Sequence, residues 1–126
     1  MKFFIASSWT NGVAVNTLRD NLMVLGHEVV YPGKEADNLF AAGADWRSRI
    51  ELKKIFEQEV TKIEEADQVI MLLPAGRASH ISVGIAYGFG KHLTLIGQPE
   101  KIEGHYFMFD KDYKTIDEYI AALRAH

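Results

Sequence analysis

The sequence predicts an α/β protein, a doubly wound parallel sheet of about five strands with helices on both faces. Two observations predict it. Short apolar runs alternate with amphipathic stretches in the order βαβαβαβ(β)α, a pattern that calls for parallel strands joined by helical crossovers. QVIMLLP (68–74) is moreover continuously apolar, as a strand covered on both sides must be.

The elements follow in chain order. KFFIA (2–6) reads as a buried strand. Val15, Leu18, Leu22 and Leu25 then recur at helical spacing, and Gly26 stands where a helix stops. HEVVYP (27–32) is a second strand, closed by Pro32-Gly33. Residues 33–47 show little pattern, which is long for a connection, so they form a candidate lid. From Ser48 to Ala66 a helix carries Leu52, Ile55, Phe56, Val60 and Ile63 on its inward face. After QVIMLLP a helix is expected over 79–90, then a strand at HLTLIG (92–97) and a fifth at HYFMF (105–109). Thr115 to Glu118 is a capping-box sequence opening a last helix with Ile116, Tyr119, Ile120 and Leu123 inward. The result is one domain over 1–126, of the flavodoxin or Rossmann-like kind, without an internal repeat or linker.

Bulk properties narrow the function classes. At 126 residues the chain can bury a core without staples, and it has no cysteine, which fits a reducing cytoplasm and excludes thiolate chemistry. The opening MKFFIASSW is too brief for a signal h-region or a membrane span. Net charge is −3 with scattered basic residues, not the clustered footprint that a nucleic-acid polymer demands. The expectation is a cytoplasmic domain handling small molecules.

In such sheets ligands bind beyond the carboxyl ends of the strands, where strand order reverses. Three segments should meet there: Ser7-Ser8-Trp9, Pro74 to Ser82, and the 33–47 loop. Ser79 is expected to cap the third crossover helix, leaving the amides of residues 80–82 facing the crevice with Arg77 beside them, a modest anion site. The plain alternative is strand-to-helix punctuation with a solvated Arg. Gly84 and Gly88, four apart, suggest a backbone packed closely on that helix face.

The turn SSWTNG (7–12) offers hydroxyl and amide donors to a phosphate or sugar, although Ser and Asn at a helix start are commonly only caps. It is not the GxGxxG fingerprint of a dinucleotide site, and no cofactor is expected. Glu59 falls on the inward stripe of its helix, so it must be paired at the core's edge or reach into a polar pocket. Asp67 precedes its strand at the end away from the crevice and reads as structural. Phe40 and Trp46, near Asp45, Arg47 and Arg49, could stack on a planar base or close over the core. The five histidines (27, 80, 92, 105 and 126) lack metal-ligand spacing, so no metal is expected, and only His80 is placed for a ligand.

With these residues in hand, the chain resembles the nucleoside 2-deoxyribosyltransferase family, including its nucleoside 5′-monophosphate N-glycosidase branch. The resemblance rests on GHEVVYP, on FEQEVTKIEEADQVIMLLP, and above all on GRASHISVGIAYGFGK. Family members carry a Gly-Arg-small-small-His-hydrophobic-Glu-x-Gly run at this last point, and Gly76, Arg77, Ser79, His80, Gly84 and Ala86 match it. The resemblance implies cleavage of an N-glycosidic bond by a Glu nucleophile, through a glycosyl-enzyme that a second base or water resolves. It also implies homo-oligomers, at least dimers, whose pockets borrow residues from a neighbouring subunit.

The nucleophile position falls on Ser82. A neutral hydroxyl neither stabilises an oxocarbenium ion nor leaves readily, whereas a carboxylate does both. The family's acidic partner on the preceding helix corresponds to Glu59. Three readings stay open: an N-glycosidase in which Glu59 steers water to the anomeric carbon, a non-catalytic nucleotide-binding protein that kept the pocket, or an ordinary enzyme in which Ser82 replaces a native Glu. The expected catalytic residues are Glu59 and Ser82. The expected substrate-binding residues are Ser7, Ser8, Trp9, Arg77, Ser79, His80 and Trp46, with a nucleoside or nucleotide as partner.

Overall fold

Five parallel strands form one sheet in the order β2-β1-β3-β4-β5. They are β1 (Lys2–Ser7), β2 (Glu28–Val30), β3 (Gln68–Leu72), β4 (His92–Ile96) and β5 (Lys111–Tyr113). The structure, a computed structural model, describes residues 1–31, 43 and 45–125. Among the described residues the α-helices are α1 (Gly12–Val24), α2 (Ile50–Glu65), α3 (Arg77–Gly88) and α4 (Ile116–Arg124).

The two-residue period of the strands divides the core. Phe3, Ile5, Ile70, Leu72 and Ile96 turn to one face and meet Val15, Leu18 and Leu22 of α1 with Tyr119 and Ile120 of α4. Phe4, Ala6, Val69, Met71, Leu93 and Leu95 turn to the other and meet Ile63 of α2 with Val83 and Ala86 of α3. The sheet is thus doubly wound, as its apolar runs predict. In this strand order the direction of winding across the sheet switches between β1 and β3, which puts the crevice at their carboxyl ends.

Local signals hold at several boundaries. Gly26 takes φ 90°, and the Gly26 and His27 amides return to Met23 and Leu22 carbonyls at 2.9 and 3.1 Å, so α1 ends in a Schellman motif. Thr115 Oγ1 accepts from the Glu118 amide at 3.1 Å, while the Glu118 carboxylate reaches back to the Lys114 amide. Asp67 has the structural role expected of it, since its carboxylate accepts from the Lys2 amide at 2.7 Å.

Four expectations need correction. HYFMF is not the fifth strand: Gly104–Met108 is a 3₁₀ turn, and the polar KDY at 111–113 pairs with β4 instead. An edge strand tolerates polar residues because backbone pairing, not burial, defines it. Ser79 does not cap α3. The cap is Gly76, three residues earlier than expected, and Ser79 is the buried third residue of the helix. The stripe of α2 is only partly inward, with Leu52 and Ile63 buried and Phe56 48% exposed. Finally, no backbone of the described residues packs on Gly84 or Gly88, where a Cβ would meet nothing within 4 Å.

Candidate functional site

The turns after β1 and β3 are bonded to each other. Ser7 Oγ donates to the Leu72 carbonyl at 2.7 Å and lies 3.3 Å from that of Pro74. Asn11 Nδ2 donates to Ser7 Oγ at 3.1 Å and to the Leu73 carbonyl at 3.2 Å. The Ser8 amide donates to the Pro74 carbonyl at 3.1 Å. The Leu73–Pro74 peptide between these partners is cis. Ser7 therefore builds the crevice wall, and its buried hydroxyl is occupied by main chain. Ser8 caps the 3₁₀ turn Trp9–Asn11 through the Thr10 amide, and its hydroxyl bonds that of Thr10 at 2.8 Å. Trp9 stands 43% exposed at the rim.

Helix α3 starts directly beyond the β3 turn, so the amides of Arg77, Ala78 and Ser79 are its first-turn donors. The candidates on this helix do not converge on one point. Residues 77 and 82 are five apart, which rotates them roughly 140° around a helix. Arg77 and His80 line a groove of about 950 Å³ between α3 and the 3₁₀ turn Gly104–Met108. Ser82 is buried on another flank and faces α2.

His80 is tied at both ring nitrogens, Nδ1 at 2.7 Å from the Gly76 carbonyl and Nε2 at 3.1 Å from the Tyr106 hydroxyl. A carbonyl only accepts, so Nδ1 carries hydrogen, and in the neutral ring Nε2 accepts from Tyr106. The side chain expected to greet a ligand thus pins the helix start to the 3₁₀ turn. Tyr106 was hidden in a segment read as a strand, and nothing in the local pattern marks it. Ile81, Tyr87 and Phe107 also line the groove and are 58%, 62% and 96% exposed.

The two expected catalytic positions do meet. Ser82 Oγ donates to Glu59 Oε1 at 2.8 Å and lies 3.0 Å from the Ala78 carbonyl. Glu59 is half-buried, and a carboxylate there gains a hydroxyl donor from α3, which lowers the cost of its desolvation. The pair can hold and move a proton. Trp46 lies in the 3₁₀ turn Trp46–Ser48, 51% exposed, with the Arg47 guanidinium 4.2 Å above its ring. Arg49 pairs with Glu51 at 2.6 Å. Phe40, His126 and most of the 33–47 loop lie outside the described residues.

Solved structures share this architecture. The Clostridium botulinum CMP N-glycosidase BcmB superposes with a TM-score of 0.67 at 19% identity, covering 98% of this chain and 99% of that one. A 2-deoxyribosyltransferase from Bacillus psychrosaccharolyticus gives 0.71 at 17% identity, over 95% and 90%. A conserved protein from Enterococcus faecalis V583 gives 0.63 at 12%, over 99% and 98%. The likeness is one of fold. No protein-family model and no curated protein matches the sequence. Among the described residues no helix is long and apolar enough to cross a membrane.

Proposed function

We propose that the protein processes nucleosides or nucleoside 5′-monophosphates by cleaving the N-glycosidic bond, with Glu59 and Ser82 at the reacting centre. The observation that carries this reading is the 2.8 Å contact between Ser82 Oγ and Glu59 Oε1. It joins, across two helices, the two positions at which the family resemblance expects chemistry. Two of the structural neighbours, a CMP N-glycosidase and a 2-deoxyribosyltransferase, support the substrate class. Arg77 and the first turn of α3 supply the charge and donors for a phosphate. Ser8, Trp9, Ser79 and Trp46 complete the proposed binding set, with Ser7 holding the turn that carries Ser8 and Trp9, and His80 fixing the start of α3. Water and the protein's own side chains suffice for this reaction, in a cytoplasmic setting.

A homodimer is part of the proposal. Ile81, Tyr87 and Phe107 expose apolar surface along one groove, and Gly84 between them leaves room for a close approach. A non-catalytic nucleotide sensor is the second reading, favoured by the neutral hydroxyl of Ser82 at the nucleophile position. Incubation with a panel of nucleosides and nucleoside 5′-monophosphates, with free base measured by chromatography, separates the two. Release by the wild type that disappears in Glu59→Gln is the expected result. Binding without release supports the sensor, and neither binding nor release with any member of the panel refutes both.

A further inference from the structure

We propose that N-glycosidic cleavage at this site is a single displacement by water, with Glu59 the base and Ser82 its two-way hydrogen-bond partner, so that the protein hydrolyses its substrate and does not pass the sugar to a second base. The inference rests on the reading that Glu59 and Ser82 form the reacting centre.

Double displacement asks for two functions at the anomeric carbon: a nucleophile that can leave again, and a base for the water or acceptor that resolves the intermediate. The described site offers one carboxylate for both. If Glu59 were consumed as the nucleophile, the hydroxyl of Ser82 would be a poor base for the second step. If Ser82 attacked, the product would be a stable acetal rather than a labile ester. One carboxylate can complete the reaction when water attacks directly.

The hydrogen-bond geometry fits that single role in both of its protonation states. While Glu59 is ionised, the Ser82 hydroxyl donates to Oε1 at 2.8 Å. Once Glu59 has taken a proton from water, its own O–H can donate to Ser82 Oγ. The Ser82 hydrogen then turns to the Ala78 carbonyl, already 3.0 Å away. Within this pair only hydrogens rotate, and the Ser82 hydroxyl keeps an acceptor in both states. A hydroxyl can donate and accept in this way, whereas an ionised carboxylate at position 82 could only accept.

The step balances. The oxygen of water bonds to C1′, and the C1′–N bond breaks with its electron pair leaving on the base. The proton of water passes to Glu59, the departing base takes a proton from solvent, and Glu59 returns its proton to solvent. The net reaction is nucleotide plus water to free base plus sugar phosphate.

The test is exchange under turnover. The wild-type protein is given nucleoside 5′-monophosphates together with isotopically labelled free base, and samples are read early for base release, label in the nucleotide, and intact protein mass. Release without label in the nucleotide and without added mass is expected. Release with label incorporated, or with protein heavier by one sugar phosphate, overturns the single displacement and leaves the cleavage reading standing. No release from any nucleotide overturns both. The partnership is read from pH profiles. Ser82→Ala is expected to lower release about tenfold and to displace the limb of the profile governed by the base, as loss of one hydrogen bond to a charged group predicts. Ser82→Thr, which keeps the hydroxyl, restores the wild-type profile. An Ala variant with unchanged rate and profile, or a Thr variant that behaves like Ala, refutes the role of Ser82.

Discussion

Tyr106 Oη meets His80 Nε2 at 3.1 Å, joining the 3₁₀ turn Gly104–Met108 to the first turn of α3. Both residues line the groove, and His80 holds the Gly76 carbonyl with its other nitrogen. Tyr106→Phe removes one neutral hydrogen bond and keeps the ring, so we expect a loss of about 1 kcal/mol in denaturant unfolding. A larger effect would show that the hydroxyl organises more than this contact.

Gly97 follows β4 at φ 118°, and a Cβ built there would stand 2.7 Å from Leu73 Cβ. Both the backbone conformation and the space exclude a side chain. Gly97→Ala is expected to destabilise by roughly 1–3 kcal/mol, measured as a lowered denaturation midpoint with an unchanged slope.

Ser7 and Ser8 are neighbours in sequence with different duties. Ser7→Ala strips a partner from Asn11 and from the Leu72 carbonyl inside the core, for an expected cost of roughly 1–3 kcal/mol. Ser8→Ala loses only exposed contacts to Thr10 and should cost under about 1 kcal/mol. Parallel thermal melts of the two variants check the contrast.

Nucleoside 5′-monophosphates should raise the melting temperature, by mass action on the folded state. Arg77→Ala is expected to reduce that shift while leaving the ligand-free melt within about 0.5 kcal/mol, because Arg77 is exposed. Ser82→Glu places a second carboxylate beside Glu59 and is expected to switch on exchange of labelled base into the nucleotide, read by the isotope assay.

Acid stability should respond to His27. Burial, and next the nearby Met1 ammonium, hold its imidazole below the usual value of 6.5. The folded state therefore favours the neutral ring, and the unfolded chain binds the extra proton first. The stabilising contribution is complete above the unfolded value and falls away as pH drops toward the lowered folded value. His27→Gln should flatten that part of the stability-versus-pH curve.

Much of the architecture was legible because it depends on short-range periodicity. The unbroken apolar runs in KFFIA and QVIMLLP supply both faces of a strand, and both faces are buried as such runs require. The Gly26 stop and the Thr115 cap are local chemistry and appear where expected. HYFMF misled because an apolar run signals burial, not strand pairing: Tyr106, Met108 and Phe109 pack against the sheet from a 3₁₀ turn. Ser79 misled for a related reason. Its preference for caps lost to Gly76, whose extended backbone already caps the helix three residues earlier.

The candidate site divides along the same line. The residue types, the position of Ser82 within the Gly-Arg run and the need to pair Glu59 follow from the amino-acid order alone. What pairs with what does not. Ser82 meets Glu59 across 23 positions, and Tyr106 meets His80 across 26. Such contacts depend on how each helix is rotated against its neighbours, a quantity set by packing of the whole core. Chain order therefore determined the sheet, its two faces and the chemistry available. Tertiary packing decided that Arg77 and His80 open on one flank of α3 while Ser82 turns to the carboxylate on another, because side chains five residues apart leave a helix in different directions.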